Sequence, residues 1–130
     1  MINTTFDHKL GIIQTTYSGK ITAEEIIRYV FNLRIPKKQE KEILYFEDHT
    51  EAEFVFSPAE IKQIVHTLYA KIKDSHGIRV AVLNTRPRET AFSIIAIRLL
   101  RADNLYAKVF CTRQAALDWL LVKQKMEVEL

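Results

Sequence analysis

The stretch that most constrains this chain is Gly77 to Asn84, Gly-Ile-Arg-Val-Ala-Val-Leu-Asn, together with the turn and helix after it. Ile78 to Leu83 is β-branched in character and apolar at every position but Arg79, the pattern of a strand covered on both faces. A turn, Thr85-Arg86-Pro87-Arg88, hands over at once to an apolar helix, Glu89 to Arg101. Such a βα unit belongs to a mostly parallel sheet, because only crossover helices cover both faces of a strand. A second continuous apolar run, Ile43-Leu-Tyr-Phe46, makes the same demand.

The remaining elements fall around this unit. Thr4 to Leu10 alternates, with Phe6, His8 and Leu10 on one side; Gly11 interrupts, and Ile12 to Tyr17 continues with strand-forming types, so an antiparallel hairpin opens the chain. Thr22-Ala-Glu-Glu25 is a capping box before an amphipathic helix over Ala23 to Arg34, which Pro36 stops. Lys37 to Glu42 is a charged run expected to be a solvated loop. Ala52, Phe54 and Phe56 alternate with Glu51, Glu53 and Val55, an extended segment burying one side whose pairing is open. Ser57-Pro58-Ala-Glu60 starts a helix to about Lys73, its stripe formed by Ile61, Ile64, Val65, Leu68 and Ile72. A last strand, Tyr106 to Phe110, precedes a helix capped by Thr112 and carrying Ala116, Leu117, Leu120 and Leu121. The whole reads as one α/β domain over residues 1–130, with a mixed-charge tail, 123–130, free to fray.

Composition excludes several function classes. A net charge of +3 spread over interleaved basic and acidic residues is no nucleic-acid footprint. No apolar stretch is long enough for a membrane span, and the first residues hold no leader-like apolar region, which places the expected location in the cytoplasm. The lone Cys111 can form no internal disulfide and fits a reducing compartment. The four histidines, His8, His49, His66 and His76, have no metal-ligand spacing, and three unclustered glycines offer no phosphate loop. No cofactor is expected.

Three segments together resemble the SpoIIAA-like, or STAS-like, domain family: Gly19-Lys-Ile-Thr-Ala-Glu-Glu25 after the hairpin, Arg79-Val-Ala-Val-Leu83, and Val109-Phe-Cys-Thr-Arg-Gln-Ala-Ala-Leu-Asp-Trp-Leu120. The resemblance spans about residues 4 to 122 and implies a sheet flanked by helices. It also implies binding or regulation rather than catalysis. Anti-sigma-factor antagonists in that family carry a regulated serine at the start of the helix after the third strand, and by position its counterpart is Ser57. Phe56-Ser57-Pro58-Ala59 lacks the flanking Asp and Gly of their Asp-Ser-x-Gly turn. Other branches of the fold hold apolar ligands, so a lipid-like ligand is a second implication.

Candidate sites lie at the strand ends, where open α/β sheets gather ligands. Asn84, Thr85, Arg86 and Arg88, with Arg113, could bind an anion beside helix N-termini; alternatively the arginines are solvated and Asn84 or Thr85 merely caps. Asp48 and His49, neighbours on an extended backbone, point to opposite faces and cannot easily hydrogen-bond to each other, which favours a structural role for His49 over a catalytic one. Ser57 is a helix N-cap or a regulated hydroxyl. Cys111 precedes a helix start but has no histidine partner in sequence. The helix after Arg88 is apolar nearly all round: Phe92, Ile95, Ala96 and Leu99 are expected to face the sheet, leaving Ile94, Ile97, Leu100 and Arg101 for a second subunit or to cover an apolar cavity. Two functions remain. One is a non-catalytic regulatory or scaffold domain acting through protein contacts as a homodimer. The other is a carrier of a small apolar or amphipathic ligand under that helix, for which a void there would speak.

Overall fold

The computed structural model describes residues 1–34, 42–75 and 77–129, and beyond residue 121 the backbone alone. The strands are β1 (Ile2–Asp7), β2 (Ile12–Ile21), β3 (Ile43–Phe54), β4 (Ile78–Leu83) and β5 (Leu105–Phe110); the helices are α1 (Ala23–Asn32), α2 (Pro58–Ile72), α3 (Pro87–Leu99) and α4 (Arg113–Glu129). They build a five-stranded sheet in the order β1-β2-β3-β4-β5, antiparallel at β1 and parallel elsewhere. This is the expected α/β architecture. Pro36, the charged run from Lys37 to Lys41, and His76 lie outside the described residues.

Strand order dictates where the helices go. From β2 onward every crossover steps the same way across the sheet, and right-handed crossovers stepping the same way leave their helices on one face. Tyr17, Ile26, Val30, Tyr45, Phe54, Ile61, Ile72 and Leu100 form a core between the sheet and α1, α2 and α3. The opposite face is covered by α4, where Ala116 and Leu120 pack on Phe46, Ala81 and Leu83. Arg79, fully buried on that side, is bound by Glu42 at 3.0 Å and lies over the rings of Trp119 and Tyr106.

Local signals fix the boundaries. Thr22 Oγ1 accepts from the Glu25 amide at 3.1 Å, and Thr112 Oγ1 accepts from the Ala115 amide at 3.2 Å. β1 ends earlier than its alternation suggests, because the Asp7 carboxylate accepts from the amides of Lys9 and Leu10 and folds residues 8–11 into the turn, closed by Gly11 at φ 69. β2 continues through Ser18 and Gly19 to Ile21. α1 stops at Asn32, short of the expected Arg34, and the α4 backbone stays helical through the charged tail to Glu129.

Two expectations are corrected. Residues 51–54 are no separate strand but the second half of a twelve-residue β3. The sheet-facing side of α3 is also rotated from the expected one. Ile95 and Leu99 are 39% and 43% exposed, whereas Leu100 is 5% exposed and belongs to the core. The cause is polar: buried Asn84 donates to Ser93 Oγ at 2.7 Å and draws that serine inward. A count of apolar residues sends Ser93 outward; the hydrogen bond reverses it.

If α4 alone seals its face, Leu120→Ala should lower the unfolding free energy by about 3 kcal/mol, read as a lower urea midpoint at unchanged slope. Leu99→Ala, on the exposed side of α3, should cost less than about 1 kcal/mol.

Candidate functional site

The site begins with a mismatch in strand length. β3 pairs with β4 only from Ile43 to Asp48, so its second half runs on beside β2 with its other edge open. Backbone polar groups on an open, buried edge must find partners. The first turn of α3 and its cap supply them. Arg86 Nη1 donates to the Ala52 carbonyl at 3.1 Å, Arg88 Nη1 to that of Phe54 at 2.7 Å, and Arg88 Nη2 to that of Phe56 at 3.4 Å. The buried Glu89 carboxylate accepts from the Phe54 amide at 3.1 Å. These side chains finish the sheet where β4 has ended.

The residues expected to bind an anion are placed as follows. The described hydrogen bonds of Arg86 and Arg88 go to the β3 edge, and Arg88 also lies over the Phe92 ring. Asn84, 2% exposed, spends its amide on the Glu89 carbonyl and on Ser93. Thr85 is exposed, and the cap position belongs to Arg86. Arg113 lies against Phe46 on the α4 face and donates to Gln14 at 3.3 Å, so it does not join the others. Ser57 is exposed at the α2 N-cap, with its amide donating to Glu60 Oε1 at 3.0 Å, a bond that belongs to helix capping. Ile97 and Leu100 turn inward, while Ile94 and Arg101 are exposed. Cys111 is an exposed free thiol.

Beneath α3 lies a space of the kind that its apolar character left open as an alternative to a subunit contact. A cavity of about 160 Å³ lies between the sheet and α1, α2 and α3, walled by apolar groups that include Tyr45, Ile64, Phe54, Phe56, Phe92 and Ala96. Its polar wall comes mainly from β2 and β3, with Thr15, Tyr17, Glu47 and His49, joined by Tyr29 of α1 and Ser93 of α3. A β-bulge sets this wall. Thr16 pairs with Asp48 and Ser18 with Glu51, so Tyr17 faces two residues of β3, His49 and Thr50. Asp48 Oδ1 clasps the bulge, accepting from Thr50 N at 2.9 Å and Thr50 Oγ1 at 2.7 Å. Glu47 and His49 therefore face the cavity and Ala52 comes next; without the extra residue Glu51 would point inward instead of lying exposed.

The polar wall is electrostatically unusual. Tyr17 donates to Glu47 Oε1 at 3.2 Å. Burial pushes the Glu47 carboxyl up to about 7, and the Tyr17 hydrogen bond only partly opposes it. His49, 7% exposed, sits against the rings of Tyr17 at 4.3 Å and Phe54 at 5.5 Å. Burial lowers it to about 4 despite the charge of Asp48, so it is neutral at physiological pH. Neither ring nitrogen has a hydrogen-bond partner among the described residues. As the alternation of an extended strand requires, no bond joins His49 to Asp48. Among the described residues no group of His, Cys, Asp and Glu is placed to hold a metal ion.

These two groups act on stability in opposite directions. Between pH 4.5 and 7 the folded protein holds a proton on Glu47 that the unfolded chain has lost, so raising the pH destabilises the fold. Between pH 4 and 6.5 the unfolded chain holds a proton that His49 refuses, so raising the pH stabilises it. At about 1.4 kcal/mol per pKa unit each is worth on the order of 3 kcal/mol, and they nearly cancel. Denaturant titrations should show Glu47→Gln gaining stability from pH 4.5 to 6.5 and His49→Gln losing it, while the parent protein changes little.

Comparison with known proteins adds the fold. No family model matches the chain, and no curated protein matches it. Among solved structures it is similar to an uncharacterised protein of the DUF3478 family from Shewanella loihica PV-4, described as having a SpoIIAA-like fold. The two share 19% identity with a TM-score of 0.55 over 92% of each chain. No helix among the described residues is long and apolar enough to cross a membrane. The chain has the SpoIIAA-like fold that its segments resemble.

Proposed function

We propose that this domain is a non-catalytic binding module that takes a small apolar or amphipathic molecule between the sheet and α3. The observation that carries the reading is the cavity of about 160 Å³ under that helix. Protein interiors pack to crystal-like density with few voids larger than a water molecule, and an apolar cavity of ~150 Å³ stays dry and takes up benzene. An apolar enclosure with a few polar groups is the usual form of a small-molecule site. The lack of any hydrogen bond to His49 speaks against an assembled acid–base relay and for a receptor.

Native mass spectrometry of protein purified from its own host, beside the same sample denatured, tests this. A non-covalent adduct lost on denaturation is expected. Toluene, added to adduct-free protein, should move the amide signals of Phe92 and Ala96, and Ala96→Phe, which fills the space, should abolish both effects. Bare protein with no response to toluene would remove the reading.

The outer side of α3 supports a second reading, contact with another protein or a second copy of this chain. Ile94, Ile95 and Leu99 are 38%, 39% and 43% exposed on one helix, more apolar surface than a solvated helix ordinarily shows. On this reading Ile94→Glu turns a dimer into monomers in the same native spectra, and a parent protein that is monomeric at all concentrations rejects it.

A further inference from the structure

The cavity's polar wall says more than that something apolar enters. Resting on the binding reading above, we infer that the ligand carries a neutral hydroxyl, donated to or accepted from His49, on a body no larger than about one ring. His49 is more than nine-tenths buried, lines the cavity, and has both ring nitrogens unpartnered. Buried polar atoms left without hydrogen bonds are rare and costly, so two on one ring that faces a void point to a partner supplied from outside the chain. The bulge at His49 and Thr50 fixes the ring's position, and the Asp48–Thr50 bonds fix the bulge.

The wall dictates the chemistry of the partner. A neutral imidazole presents one N–H donor and one acceptor nitrogen, and a hydroxyl can serve either, whichever tautomer is present. An anion would enter an apolar enclosure beside the Glu47 carboxyl, with the described Arg86 and Arg88 bonds made to the β3 edge instead. A cation would need a full counter-charge, and burial keeps Glu47 largely protonated at pH 6 and about half protonated at pH 7. The remaining surface is aromatic and aliphatic apart from Thr15, bonded to the Tyr29 hydroxyl, and Ser93, bonded to Asn84, and 160 Å³ is a volume that accommodates a single ring.

The test is a titration of the full chain at pH 6, where Glu47 is largely protonated and His49 neutral, with phenol, toluene, benzoate and benzylammonium, followed by calorimetry and by the ring nitrogen signals of His49. Phenol is expected to bind at least tenfold more tightly than toluene and to shift the His49 ring signals, with benzoate and benzylammonium bound more weakly than either. His49→Phe should bring phenol down to the level of toluene; His49→Gln, which keeps a donor and an acceptor, should retain part of the preference. Equal binding of phenol and toluene overturns the polar anchor and leaves the cavity reading standing. Tightest binding by benzoate or benzylammonium overturns the neutral ligand. Binding of none of the four overturns both readings.

Discussion

The structure depends on one unequal pairing: β3 has twelve residues and β4 six. A parallel strand that outruns its neighbour leaves carbonyls and amides without a ladder, and the interior does not tolerate them unpaired. Arg86, Arg88 and Glu89 stand in for the missing strand. The same contacts tie the start of α3 to the end of β3, and Asn84 ties it to the end of β4. The roof of the cavity is thereby held at a fixed distance from its floor. A loosened edge would let α3 settle onto the sheet and close the space.

The cavity is a cost that the rest of the core has to offset. Its lining loses dispersion contacts, and His49 and Glu47 lose solvation without full compensation. The opposite face shows the alternative, with Phe46, Ala81, Ala116 and Leu120 packed together beneath α4 and the fully buried Arg79 matched by Glu42. One face of the sheet is packed for stability and the other keeps a void. Stability given up locally, around groups with altered protonation, is a common property of binding and active sites.

Much of this was legible in the residues. The apolar run Ile43–Phe46 and the strand Ile78–Leu83, apolar but for Arg79, called for helices on both sides, and Thr22, Ser57-Pro58 and Thr112 marked helix starts correctly because capping is a local interaction. The site was far less legible. For Arg86 and Arg88 an anion and plain solvation were the two readings, because sequence shows their charge but not the strand edge 34 residues away to which they donate. Arg113 looked like their companion because both lie after strand ends, yet α4 carries it to the other face. The one available signal for the site was the change of phase in β3: inward positions are odd through His49 and even from Ala52, which implies an inserted residue.

The amino-acid sequence by itself determined the kind and order of the elements, since periodicity and caps act over a few neighbouring residues and survive any arrangement of the rest. It also implied the hand of each crossover, while the side on which the three helices lie followed from the strand order. Only the tertiary structure decided how α3 is rotated, where the arginines spend their hydrogen bonds, and that His49 faces an empty space. Each of those depends on distant groups meeting: Asn84 with Ser93, Arg88 with Phe54, Tyr17 with the bulge in β3. Packing between elements is settled by shape and polar satisfaction in three dimensions, which no local pattern in the chain encodes.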